Sequence, residues 1–377
     1  MAKTNFAPNP AKIKVLGLGG GGCNAVNRMV RANIQGVDFI GINTDAQALL
    51  LTEAPTRIQI GDKLTRGLGV GGDNSLGCKA AEQSRDELRE CVAGADMVFI
   101  TAGMGGGTGT GTAPVVAELA KEAGALTIAV VTKPFAFEGS HRMAVAEEGM
   151  EQLLDKVDTL ITVPNDRLLD LCDQRTAVDA AFQMADDVLM HAVQAIAEVI
   201  TVPGMINLDF ADVKAVMKDA GPAWMSFGHG SGQHRACDAA EAALASPLLD
   251  VSMDGATGVL FNITGGSSLT LFEVNEAAQI IGKAVDPEAN IIFGVSFDPE
   301  MNGDIKLTLI ATGFFATGGK VVHQDEELRR LLTNAENEQE LDIPTFLRHP
   351  LGRRKVAEAT DIKEHTLHHR IPTRSNR

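Results

Sequence analysis

Apolar and polar positions alternate on two scales in the first part of the chain. Short apolar runs at 13–16, 39–42, 97–101, 127–131 and 159–163 are separated by longer amphipathic stretches. That alternation predicts parallel strands joined by helices, a doubly wound α/β domain over residues 12–176, preceded by an extension at 1–11. Residues 177–202 then read as one long central helix, with Val178, Phe182, Ala185, Leu189, Val193, Ile196 and Ile200 recurring every three or four positions before Pro203 and Gly204 end it. A second block, 203–315, has strand patterns at 258–264, 290–295 and 305–312 and helical ones near 238–244 and 273–284, predicting a smaller α+β domain. Beyond Phe315 the periodicity fades. The remainder divides into a linker at 316–340, with a helical tendency around 326–332, an apolar-centred peptide at 341–348 and a basic, disordered tail at 349–377. No internal repeat is visible.

At 377 residues the chain has ample core for two domains without covalent staples. Cys23, Cys78, Cys91, Cys172 and Cys237 are scattered without CxxC or CxxH spacing, which argues for reduced thiols and against a zinc site. No signal-peptide layout and no apolar run of about 18 residues occurs, so a soluble, cytoplasmic protein without direct membrane insertion is expected. The formal charge of −16 disfavours nucleic acid or anionic lipid as a partner of the folded body. Positive charge gathers only after residue 341, with eight Lys or Arg against four Asp or Glu. An acidic protein that is to hold a polyanionic ligand needs a cation, and Mg2+ is the expected one.

Candidate chemistry lies in the glycine-rich segments that follow strands. Residues 105–111 place five glycines in seven positions between the strand pattern at 97–101 and a helix predicted to begin near Thr112. Glycines there let backbone N–H groups approach an anion, and the following helix points its positive end at it. The loop lacks the lysine of GxxxxGK[ST], so amides and hydroxyls carry the binding. Residues 17–22 form a GxGxxG after the first strand, with Asp38 about twenty residues on. Alone, that motif indicates a dinucleotide and a nicotinamide-dependent oxidoreductase. Two separate cradles point instead to a polyphosphate.

The motif Gly105, Gly106, Gly107, Thr108, Gly109, Thr110, Gly111 resembles the signature loop of the FtsZ family, relatives of tubulin, and the resemblance spans about 12–315 together with the tail peptide. It implies a tubulin/FtsZ-like fold that binds GTP or GDP and hydrolyses GTP. Carried over on matching positions, Gly20, Gly21, Gly22, Cys23 and Asn24 contact the nucleotide, although Cys23 reads from its surroundings as a small packed side chain. Thr44, in Asn43-Thr44-Asp45, is placed by the family near the phosphates or magnesium; a helix N-cap by Thr44 or Asp45 is the equal alternative. Gly71 and Gly72 lie in the loop at 69–77, where the family senses the terminal phosphate. There the match is poor, and Asp73 would repel a phosphate unless a metal intervened.

The resemblance assigns Glu138 and Arg142 to the ribose, with a solvated i,i+4 ion pair as the alternative, and Asn165 to its PND motif. Phe182 and Asp186, one helical turn apart, suit guanine. An aromatic ring stacks on the purine, and a carboxylate accepts from the ring N–H and the exocyclic amine, a donor pair adenine lacks. Phe182 as core filler is the competing reading.

Asn207, Asp209 and Asp212 match the family's catalytic NxDxxD loop; N-capping would explain Asp209 alone. About 24 residues of helix separate Phe182 from Asn207, roughly 35 Å at the α-helical rise, so the loop is expected to serve a neighbouring subunit. The resemblance then implies a head-to-tail filament, a heterologous contact that does not close. Ile343, Pro344, Phe346 and Leu347 resemble the family's peptide for a membrane-anchoring division adaptor, and residence at the division site follows from that resemblance. A related filament protein for DNA partition or cell shape is the other reading. The segment around Trp224, WMSFGHGSG, departs from the family pattern.

Overall fold

The structure is a computed structural model that describes residues 11–170, 172, 175–201, 209–249, 253, 255–298, 301 and 303–314. The described chain runs β1 (Ile13–Leu18), α1 (Gly19–Arg31), β2 (Val37–Asn43), α2 (Ala46–Leu50), β3 (Thr56–Gln59), α3 (Asp62–Thr65), α4 (Asn74–Gln83), α5 (Arg85–Val92), β4 (Met97–Gly103), α6 (Thr108–Glu122), β5 (Leu126–Lys133), a 3-10 turn (Ala136–Glu138), α7 (Ser140–Leu154), β6 (Thr159–Pro164) and α8 (Asn165–Leu169). It continues with α9 (Val178–Thr201), α10 (Phe210–Met217), β7 (Gly221–Gly230), α11 (Arg235–Leu244), β8 (Gly258–Gly265), α12 (Leu271–Ala284), β9 (Asn290–Phe297) and β10 (Ile305–Thr312).

One ten-stranded sheet, in the order β3-β2-β1-β4-β5-β6-β7-β10-β8-β9, runs through both predicted domains. Strands β1 to β6 are parallel, as near-continuous apolar runs buried on both faces require. Strand β7 joins the halves: it pairs parallel with β6 over Thr159–Gly221, Leu160–Pro222 and Ile161–Ala223, and antiparallel with β10 from Thr312–Ala223 to Ile305–Gly230. The predicted α+β block is thus a continuation of the first sheet, and β7 is the strand the periodicity missed. Its GPAWMSFGHG sequence is interrupted by glycines, which close packing explains. A Cβ at Gly228 would stand 1.7 Å from the Ala239 carbonyl oxygen, and one at Gly230 1.9 Å from that of Arg235, so only glycine lets α11 lie on β7. Trp224 packs edge-on against Phe314, ring centroids 4.6 Å apart. The four-residue edge strand β3 also escaped the pattern.

Two apolar layers flank the parallel half. One, with Val15, Phe99, Ile128 and Leu189, lies under α1 and α9; the other, with Leu16, Ile100, Val116 and Leu119, lies under α4 to α6. A third cluster around Phe261, Ile281 and Leu307 fills the second half. Helix α9 spans 24 residues, about 36 Å at 1.5 Å per residue. Near its start Phe182 meets Phe135, which follows the carboxyl end of β5; at its finish Thr201 lies against Gly36, which precedes β2. The helix therefore runs from the carboxyl ends of the parallel strands to their amino ends.

Candidate nucleotide site

The carboxyl ends of β1, β2 and β4 surround a cleft of about 290 Å³ lined by Leu18, Gly19, Gly20, Gly21, Asn43, Asp45, Gly69 to Gly72, Gly103, Gly106 to Gly109 and Arg142. This is where ligands of doubly wound sheets gather. A larger groove of about 640 Å³ beside β2 and β3, lined by Lys14, Asp38, Arg57, Glu87 and Glu90 among others, has no glycine cradle. Volume alone does not choose the site.

Both glycine segments are wound more tightly than expected. Helix α6 begins at Thr108 rather than near Thr112, so half of the GGGTGTG motif is its first turn; Gly19 to Gly22 are likewise the first turn of α1. Each therefore presents unpaired helix-start amides, the groups that bind anions. The glycines divide by role. A Cβ at Gly20, Gly71, Gly72 or Gly106 would meet nothing within 4 Å, which leaves their faces open to the cleft. At Gly22 it would stand 2.3 Å from the Thr101 carbonyl oxygen, at Gly107 2.3 Å from Val70 and at Gly111 2.1 Å from the Asn74 carbonyl oxygen. At those three positions close packing leaves no room for a side chain. Gly105, at φ +89, and Gly109 are confined by Arg142 and by the Leu18 carbonyl.

Cys23 is buried, with Sγ 3.5 Å from the Gly17 carbonyl oxygen, and burial raises its thiol pKa; it is packed, as its surroundings suggested. Asn24, the next residue of α1, faces outward. Of the two residues that could cap a helix here, Asp45 does so. Asp45 is the N-cap of α2, accepting from the Gln47 and Ala48 amides, while Thr44 is fully buried with its hydroxyl 2.8 Å from that of Thr108. Thr44 thus ties the loop after β2 to the signature turn. Asp73 caps α4, accepting from the Leu76 amide at 3.1 Å and from the Ser75 hydroxyl at 2.7 Å. A capping role accounts for a carboxylate in a loop otherwise suited to phosphate.

Arg142, which lines the cleft, is also part of an ion pair. Its Nη1 lies 2.7 Å from Glu138 Oε2, and Glu138 also accepts from the Phe135 amide at 2.8 Å. The Glu138 side chain is 8% exposed and that of Arg142 50%, so the pair is buried on the acid side and open to solvent on the other. Asn165 opens α8; it is buried, and its Oδ1 has no hydrogen-bond partner in the protein. An orphaned buried acceptor costs about 1–3 kcal/mol, which a ligand donor would recover. Phe182 is 40% exposed, so it is not core filler, and it meets Phe135 and Phe137 edge-on at 5.3 and 6.4 Å. Asp186, one turn on, has its carboxyl pushed up to about 7 by burial, against the pull of Arg28.

Asp209 and Asp212 stand apart from these groups in the chain's path. Asp209 is the N-cap of α10, and Asp212 completes a capping box with it. The other end of α10 is anchored where the Thr159 hydroxyl, at the amino end of β6, donates to the Met217 carbonyl. Asn207 lies outside the described residues, as do Ile343, Pro344, Phe346 and Leu347 of the tail peptide. Among the described residues no group of three or more His, Cys, Asp or Glu is arranged to hold a metal ion, and no helix is long and apolar enough to cross a membrane.

Comparison with known families agrees with this geometry. The profile of the Tubulin/FtsZ family, GTPase domain, matches residues 12–173, and that of the FtsZ family, C-terminal domain, matches 221–315. An FtsZ dimer from M. jannaschii, solved empty, is 47% identical with a TM-score of 0.79, covering 81% of this chain and 89% of that one. The chain belongs to the FtsZ family. A mutant of the same M. jannaschii FtsZ aligns with equal identity and TM-score over 91% of its length. The GDP-bound monomer of CetZ1 from Haloferax volcanii, at 20% identity and TM-score 0.71, shares the fold across 86% of this chain and 99% of its own. FtsZ membership makes the chain a tubulin-like protein of a GTPase family, with the nucleotide domain and the C-terminal domain that the two profiles delimit.

Proposed function

We propose that this FtsZ-family protein binds GTP in the cleft above β1, β2 and β4, hydrolyses it, and assembles head to tail into the cytoplasmic filament of cell division. The carrying observation is the course of α9, which takes the chain from Phe182 and Asp186 at the carboxyl ends of the strands to Thr201 at their amino ends before Asp209 and Asp212 appear. The acids then complete the site of the next subunit.

In this reading Gly20, Gly21, Gly71, Gly72 and Gly106 give room and amides to the phosphates. Thr108, on the helix dipole of α6, faces the same anion. Glu138 and Arg142 hold the ribose, Phe182 stacks on the base, and Asp186 accepts from the guanine edge. The open space beside Gly20, Gly71, Gly72 and Gly106 and the orphaned Asn165 acceptor both fit such a ligand. Bound GTP supplies the phosphoryl bond to be broken, and Mg2+ is held mainly through its phosphates. Asn207, Asp209 and Asp212 of the neighbouring subunit orient the attacking water, and positioning of this kind is most of what phosphoryl transfer asks of a protein. The tail peptide at 341–348 recruits a membrane-anchoring adaptor and brings the filament to the division site.

GTP turnover per molecule, measured against protein concentration, tests the shared site. Activity should appear above a threshold concentration and track light scattering. Constant specific activity down to high dilution would sink the proposal.

A further inference from the structure

Helices α1 and α9 pack along one another, and an ion-pair triad lies on that contact. Arg28, one turn after Asn24 on α1, donates from Nη1 to Asp187 Oδ1 at 2.5 Å and brings Nε within 3.9 Å of Asp186 Oδ2. The three side chains are 26%, 39% and 18% exposed, so Asp186 is the most buried of them. Two carboxylates share one cation. Neither the glycine motifs nor the family residues carried over above assign Arg28 a role.

We propose that Arg28 is a specificity-determining residue of the nucleotide site: it favours the ionised form of the Asp186 carboxylate, in which both oxygens can accept from the two donors on the guanine edge. The proposal rests on the guanine reading of Asp186. An ionised carboxylate only accepts, matching a ring N–H beside an exocyclic amine. A protonated one has a donor where an acceptor is needed. Binding weakens, and the preference over a base lacking that donor pair narrows.

The surroundings make the balance close. Burial pushes the Asp186 carboxyl up most strongly, Arg28 pulls it down from across the helix contact, Asp187 on the same helix pushes it up, and the three together leave it at about 7. Arg28 spends its hydrogen bond on Asp187 and gives Asp186 charge at a distance, which leaves the Asp186 lone pairs available to a base. Without the guanidinium, burial and Asp187 act unopposed.

The test is the affinity of the full chain for GDP, which avoids turnover, from pH 5.5 to 9, with inosine diphosphate in parallel. Wild-type affinity should fall about tenfold per pH unit below a midpoint near 7. Arg28→Gln should move that midpoint upward, losing about fivefold at pH 7 and approaching tenfold at lower pH for a one-unit shift, and recovering towards wild type near pH 9. Arg28→Lys should restore the wild-type midpoint. Asp187→Asn should move it downward and strengthen binding at pH 6. Inosine diphosphate, which lacks the exocyclic amine, should gain on GDP as the pH falls. Recovery at high pH also shows that the variant has folded. An equal loss for Arg28→Gln at every pH, or a fixed midpoint, overturns the role of Arg28 while leaving the guanine reading standing. A wild-type chain that binds no GDP at any pH overturns both.

Discussion

Asp209 and Asp212 cap one helix turn reciprocally: Asp212 Oδ2 accepts from the Asp209 amide at 3.3 Å, and Asp209 Oδ1 accepts from the Ala211 amide at 3.4 Å. Both contacts are long and both side chains are exposed, so the box holds the acids in place without using up their lone pairs. Asp212→Ala should therefore bind GTP normally, lose hydrolysis by a factor of a hundred or more in order of magnitude, and cost the fold about 1 kcal/mol or less. Turnover and nucleotide affinity measured on the same preparation separate these effects. Equal loss of both would place Asp212 in the binding site of its own subunit.

Neighbouring glycines should respond differently to one added methyl. Gly106→Ala meets open space, so the melting temperature should stay within about 1 °C of wild type while GTP affinity falls, because the methyl occupies the cleft. Gly107→Ala drives a carbon into Val70 and the Asp73 backbone and should cost about 2 kcal/mol or more. Thermal melts with and without nucleotide check both. A destabilised Gly106→Ala would contradict the division of the signature turn into ligand-facing and packing positions.

Asn165→Ala removes a buried acceptor that has no protein partner. The free protein should not lose melting temperature, since the orphaned group is itself a cost. The rise in melting temperature on adding GDP should shrink. A large loss of stability in the free protein would show that Asn165 is structural.

Acid stability depends on Glu273. Its carboxylate, hydrogen-bonded by Arg235 and by the start of α12 that it caps, is held down at about 2. A carboxyl group whose folded value lies below its ordinary 4.5 contributes stability that is complete above about pH 4.5 and lost as pH falls towards 2. Glu273→Gln should melt below wild type at pH 7, and the gap should close by pH 2 to 3. A gap independent of pH would assign the effect to packing.

Much of this was legible along the chain. The strand runs, the 3.6-residue period of α9 and the glycines after strands each depend on a few adjacent residues, and the structure places them within a few positions of where the pattern does. Misreadings occurred where local signals compete. Glycine marks a turn by default, so Thr108 to Gly111 read as loop, yet they are the first turn of α6, where Gly109 lies against the ends of β1 and β4 and Gly111 against α4. The same default hid β7, whose glycines make room for α11. The capping role of Asp73 was not legible because the helix that it caps was not read from the pattern.

The sequence by itself determined which segments are strands and helices, that two glycine cradles follow strands, and that acids come after a long helix, because such patterns are written in neighbours a few residues apart. Only the tertiary structure decided that β7 fuses both halves into one sheet, which glycines face the cleft, and that Arg28 reaches Asp186 and Asp187. Those outcomes depend on packing between residues tens to more than a hundred and fifty positions apart, Arg28 and Asp187 being 159 residues distant. No local periodicity encodes a meeting of that range; the shapes of two packed helices do.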